Sequence, residues 1–112
     1  MMLVLTIQMK SDAPTLIFDV NRINHLVFGR STKDSSWIPN VDLTKFGAHK
    51  LGVSRRHAAI NKLDNGLHIL DLGSANGTFV NERKLVPNQA HPIQHGDTIR
   101  IGYLSLGVQL DQ

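Results

Sequence analysis

Alternation with a period of two runs through both ends of the chain. Leu3, Leu5, Ile7 and Met9 share one face against Val4, Thr6, Gln8 and Lys10. Near the other end Leu104, Leu106, Val108 and Leu110 face away from Tyr103, Ser105, Gly107 and Gln109. Between them, strands are predicted at Thr15 to Val20, His25 to Arg30, Val41 to Leu43, Arg56 to Lys62, Leu67 to Leu72, Thr78 to Val80 and Thr98 to Ile101. Turn chemistry separates these runs. Asn65-Gly66 suits a two-residue hairpin because both residues tolerate positive φ, Gly96-Asp97 makes a second turn, and Asn81-Glu82 makes a third with a less suitable second residue. No stretch sustains a helical period, so the reading is an all-β antiparallel sandwich or barrel.

Composition then bounds the function. A chain of 112 residues with 41% apolar and 19% charged residues folds as one domain, 1–112, too short for two lobes around a cleft. Twelve Lys and Arg against nine Asp and Glu leave a net charge of +3, an excess that permits phosphate recognition without requiring it. With no cysteine, disulfides, thiolate metal sites and a cysteine nucleophile are excluded. No apolar run approaches the roughly 20 residues that cross a bilayer, and no charged stretch precedes the apolar N-terminus. The expectation is a cytoplasmic protein without membrane contact or cofactor.

Three clusters of small polar and basic residues fall at strand ends: Gly29-Arg30, Ser54-Arg55-Arg56-His57, and Gly73 to Thr78. Loops at one end of a sandwich converge, so these clusters can border one shallow site. An arginine, a hydroxyl and an amide beside flexible backbone form a donor set without a paired acid, which suits an anion. Each residue also has a plainer reading. Arg30 is equally a solvated charge, Ser54 and Asn76-Gly77 are equally turn residues, and His57 reads as a hydrogen-bonded structural histidine. If Arg55 and Arg56 lie in a strand they face opposite ways, so only one should meet a ligand. His91 and His95 are four apart, but Pro92 and the missing helical pattern remove the geometry of a metal pair. The segment Ser31 to Gly52 is too long for a simple connection and reads as functional. Its Trp37 either anchors the loop or covers part of a binding surface.

The order Gly29-Arg30, Ser54-x-x-His57, Asn76-Gly77-Thr78 and then Asn81 resembles the forkhead-associated (FHA) domain family of phosphothreonine-binding modules. The resemblance covers nearly the whole chain. It implies a two-sheet antiparallel β-sandwich of about eleven strands with binding loops at one end. It also implies that Arg30 and Ser54 contact the phosphate, with Arg55 adding a contact that varies within the family, and that Asn76 bonds the main chain of an extended peptide. Gly29, His57, Gly77, Thr78 and Asn81 are then loop supports. Two departures stand out. Ala75 lacks the hydroxyl many relatives carry, leaving only its backbone N–H to donate, and Glu82 occupies a turn position where relatives often have Gly. The partner implied is a phosphothreonine-containing protein or a segment of the same parent chain, written by an upstream Ser/Thr kinase.

Other functions compete with this one. Ser54, His57 and Asp71 supply the residue types of a hydrolytic triad, but no Gly-x-Ser-x-Gly elbow is present. His25, Arg30, Arg55 and Arg56 could line nucleic-acid phosphates, yet the aromatic interleaving of such surfaces is missing. A degenerate FHA-like scaffold holding an unphosphorylated protein is the main alternative, kept alive by Ala75. The reading is therefore a non-enzymatic phosphopeptide module for protein–protein interaction in signalling.

Overall fold

The computed structural model describes residues 1–111 and contains two sheets. In chain order the strands are β1 Met2–Ile7, β2 Thr15–Asp19, β3 His25–Gly29, β4 Val41–Asp42, β5 Ala58–Leu63, β6 Gly66–Asp71, β7 Thr78–Val80, β8 Arg83–Lys84, β9 His91–Pro92, β10 Thr98–Ile101 and β11 Leu104–Asp111. The first sheet runs β2-β1-β11-β10-β7-β8 and the second β4-β3-β5-β6-β9. Single 3-10 turns at Val20–Arg22 and Thr44–Phe46 are the helical pieces among the described residues.

Alternation builds the core. Leu3, Leu5 and Ile7 of β1, with Leu104, Leu106 and Val108 of β11, point inward from the first sheet. Phe28, Ala58, Ile60, Leu67 and Ile69 meet them from the second. Each buried Leu, Ile or Phe contributes roughly 1.5–3 kcal/mol of transfer free energy, so these paired faces carry most of the stability. Met9 does not join them, because β1 ends at Ile7 and Met9 lies exposed beyond it.

The all-β two-sheet sandwich stands, and two details of the sequence reading need correction. The sandwich is not wholly antiparallel, since β3 and β4 pair in parallel. A parallel neighbour requires the chain to travel back along the sheet before pairing, and the long segment between Gly29 and Val41 makes that return. The β5–β6 hairpin is shifted by one residue. Leu63 pairs with Gly66, so Asp64-Asn65 forms the loop and Gly66, at φ 120°, alone carries the positive φ. The β7–β8 turn keeps its two-residue form, with Asn81 at φ 51° and Glu82 at φ 66°. Glu82 holds this left-handed conformation although it is not a glycine, and its carboxylate is gripped by Arg100 at 3.1 Å.

Candidate functional site

The strand ends bring Gly29-Arg30, Ser54 to His57 and Gly73 to Thr78 together. Gly29 allows this by close approach. A Cβ built on it would lie 1.8 Å from the Arg55 carbonyl oxygen, so only hydrogen fits between β3 and the segment entering β5. The Arg30 N–H donates to that same carbonyl at 3.3 Å, and the His57 N–H donates to the Phe28 carbonyl at 2.9 Å. The two loops are thereby fastened before either side chain engages a ligand.

His57 is the internal bridge. It is wholly buried, with Nδ1 accepting from the Ser54 N–H at 2.9 Å and Nε2 within 2.8 Å of the Gly77 carbonyl. Because Nδ1 accepts, Nε2 must carry the proton and donate, and one neutral tautomer satisfies both contacts. Burial holds the His57 pKa below the ordinary imidazole value, against the opposing pull of the Gly77 carbonyl and the Asp71 charge. Both ring nitrogens are committed, so His57 cannot serve Ser54 as a general base, and a Ser54-His57-Asp71 triad is not assembled.

Asp71 organises the third loop. Its carboxylate accepts from the Gly73 and Ser74 N–H groups at 3.0 and 3.1 Å, from the Ser74 hydroxyl, and from the buried Thr78 hydroxyl at 2.7 Å. Burial raises the Asp71 pKa, but these hydrogen bonds outweigh it and hold the carboxyl below its ordinary value. The Ser74 hydroxyl oxygen in turn accepts from the Gly77 N–H at 2.9 Å. Sequence reasoning missed this role for Asp71, although an Asp two residues before Gly-Ser is an Asx-turn signal.

The outward-facing groups differ from these supports in having donors unspent. Arg30 is half-buried and uses Nε to donate to the Val53 carbonyl at 2.8 Å, which leaves its terminal nitrogens available. Ser54 Oγ accepts the Ala75 N–H at 3.1 Å, so its own proton is free to be donated outward. The Ala75 N–H is consequently spent on a bond between two loops and is not the spare ligand donor that the sequence suggested. Asn76 Nδ2 donates to the Gly52 carbonyl at 2.9 Å, fixing the amide while its oxygen stays unbonded.

Two expectations about position also change. Arg55 and Arg56 precede β5 instead of lying in it, and both line one groove with Ser54, Ser35 and Trp37. The strand rule that set them on opposite faces does not apply there. Asn81 sits at the far end of β7 from Thr78, where its amide bonds the Thr98 N–H and Asp97. It braces the β7–β8 turn and does not join the other loop supports. His25 opens β3 and bonds Asn61, at the opposite end of the strand from Arg30, so the four basic residues considered for nucleic acid form no continuous stripe.

Comparison with known proteins identifies the family and the fold. The family model described as "FHA domain" matches residues 26–102. Protein FraH of Nostoc is 39% identical over 64 residues, covering 57% of this chain and 22% of that protein. The oxoglutarate dehydrogenase inhibitor of Corynebacterium glutamicum is 43% identical over 54 residues, covering 48% of this chain and 36% of that protein. The chain thus spans well under half the length of these curated relatives. A solved structure from work on phosphothreonine-dependent FHA domain interactions superposes with a TM-score of 0.72 at 27% identity, covering 100% of this chain and 99% of that one.

Proposed function

Because the chain belongs to the FHA domain family, we propose that its loop end docks a phosphothreonine segment of a partner protein, or of its own parent chain, in a contact switched on by an upstream Ser/Thr kinase. The observation that carries this reading is the state of Ser54. Its oxygen is occupied by the Ala75 N–H while its proton remains to be given, beside the unspent guanidinium edges of Arg30 and Arg55. A phosphothreonine brings about −1.5 to −2 charge and three strong acceptor oxygens, and a plain threonine brings neither. Asn76, fixed by Gly52, is the residue assigned to the ligand main chain. Family membership supports an interaction module and not an enzyme.

A second reading rests on Ala75. With no hydroxyl and with its N–H spent on Ser54, this loop offers fewer donors than the resemblance called for. A degenerate scaffold that binds an unphosphorylated protein is favoured by that observation. One titration separates the two: a degenerate peptide library with fixed phosphothreonine against the same library with threonine. Binding confined to the phosphorylated set and lost in Arg30→Ala supports the phosphate reader. Equal binding of both sets transfers the weight to the scaffold.

A further inference from the structure

Beside Ser54 opens a groove of about 460 Å³ lined by Ser35, Trp37, Ser54, Arg55 and Arg56. One aromatic ring and two arginines contribute to its lining. The Arg56 guanidinium lies 5.6 Å from the centre of the Trp37 ring, within the range of a cation–π contact. No hydrogen bond or ion pair engages the Arg56 side-chain N–H groups among the described residues.

The groove combines an arginine packed against an aromatic ring with a lining that holds no acid. Among the described residues the ion pairs are Arg22 with Asp19 and Arg100 with Glu82, and no carboxylate lines the groove. Arg100 provides an internal control. It too is stacked, 3.8 Å from the Phe79 ring centre, but the Glu82 carboxylate neutralises it and the Gly102 carbonyl takes a further N–H. Arg56, packed against Trp37, has no such carboxylate partner.

The loop that carries Trp37 is also tied down at both ends. Ser31 and Thr44 share the Asp42 carboxylate at its start, and the Asn40 side chain accepts the Val27 N–H at 2.8 Å at its finish. Within it the Trp37 N–H is held by Ser35 Oγ at 3.1 Å.

We infer that the Trp37–Arg56 groove is a second anion subsite, which takes an acidic or phosphorylated side chain lying close to the phosphothreonine on the same peptide. This rests on the phosphothreonine reading, because Ser54 is the wall shared between the two sites. The ligand stem packs on the indole and its anionic end meets the guanidinium edges of Arg56, with the Ser35 hydroxyl as a further donor.

The test is a calorimetric titration with synthetic peptides that carry one phosphothreonine among alanines. A single glutamate is then moved through the flanking positions, and the best position is repeated with phosphoserine. At one position glutamate should tighten binding by about three- to tenfold, the scale of a partly desolvated ion pair, and phosphoserine by more. Arg56→Gln should erase that gain and leave the alanine-flanked peptide unchanged, whereas Trp37→Phe should retain most of it. A gain at no position, or one that survives Arg56→Gln, overturns the subsite alone. Displacement of the acidic peptide by a single-stranded oligonucleotide at equal concentration overturns it in favour of nucleic acid. An alanine-flanked phosphothreonine peptide that binds no better than its threonine twin sinks the underlying reading, and the subsite with it.

Discussion

The two ends of the sandwich are built on different terms. At the end carrying Arg30, Ser54 and Asn76, the loops are held by polar residues buried within the protein: His57, Asp71 and Thr78, each hydrogen-bonded to another loop or turn. At the opposite end the turns are joined by bonds near solvent, as where Asn81 meets Asp97 or His95 Nδ1 accepts the Leu110 N–H. Buried polar groups are costly unless every partner is in place, and no buried side-chain donor or acceptor among the described residues lacks one. The difference shows where rigidity is needed. A site made from three separate loops must be fixed from beneath, while the turns at the other end are held by exposed bonds.

The contrast is broken most severely at Gly29. Gly29→Ala forces a methyl into the Arg55 carbonyl, which is backbone and cannot swing aside, so the loss should be at least about 3 kcal/mol. Urea denaturation read against Gly66→Ala at the far end makes the comparison. There the new Cβ meets nothing within 4 Å and only the positive φ resists, so about 1 kcal/mol is expected. Equal losses would show that the two ends do not differ in this way.

His57→Ala comes next. It removes both bonds between the Ser54 and Gly77 segments and leaves a buried cavity, for a cost of about 2–4 kcal/mol in the same assay. An unchanged melting temperature would remove His57 from the role of bridge. Arg30→Ala should act mainly on the ligand. Its fold contribution is one half-buried bond to the Val53 carbonyl, whereas losing a charged donor to phosphate should cost about 1.5–3 kcal/mol, roughly ten- to a hundredfold in affinity. Ser54→Ala is less clean, because it also strands the Ala75 N–H. A small fall in melting temperature should accompany its loss of binding.

How much of this was legible follows from the range of the forces involved. The strands were readable because inward and outward residues differ in polarity every second position, as in Leu3 to Ile7 and Leu104 to Val108. The parallel β3–β4 pair was not, since pairing direction depends on the path of the connecting chain and leaves no mark on two residues, Val41 and Asp42. Motif order brought Arg30, Ser54, His57 and Asn76 to notice. Which atom each one spends inside the protein was hidden, because Ser54 Oγ and the Ala75 N–H are 21 residues apart and meet only in the folded chain. Arg56 escaped for a similar reason: without knowing that β5 begins at Ala58, strand alternation set it facing away from Arg55.

Acid separates the ends by titration. His57 has a lowered native pKa, so the unfolded chain binds its proton first as pH falls below the ordinary 6.5. Stability should then decline between 6.5 and the lower native value. Asp71 is also depressed, so the stability it provides is full above 3.8 and is lost as pH drops through its native value. A melting-temperature profile should show both declines in the native protein, and only the acidic one in His57→Gln. A profile flat from pH 7 to 4 would contradict the assignment of His57 as neutral and buried.

The smallest effect tests the loop end from the ligand side. Ala75 is exposed, its N–H is turned inward to Ser54, and its methyl offers nothing to an anion. Ala75→Thr adds a hydroxyl to a backbone that is already fixed by Ser54 on one side and by the Asn76–Gly52 bond on the other, so little new ordering is required. A neutral hydroxyl bond to a phosphate near solvent contributes about 0.5–1.5 kcal/mol, roughly two- to tenfold in affinity. Phosphothreonine peptides should tighten by that factor, while threonine peptides and the melting temperature stay where they were. Tightening of both peptides alike would mean that the loop end reads the peptide chain and not its phosphate. That outcome would favour the scaffold over the phosphate reader at the residue that first raised the question.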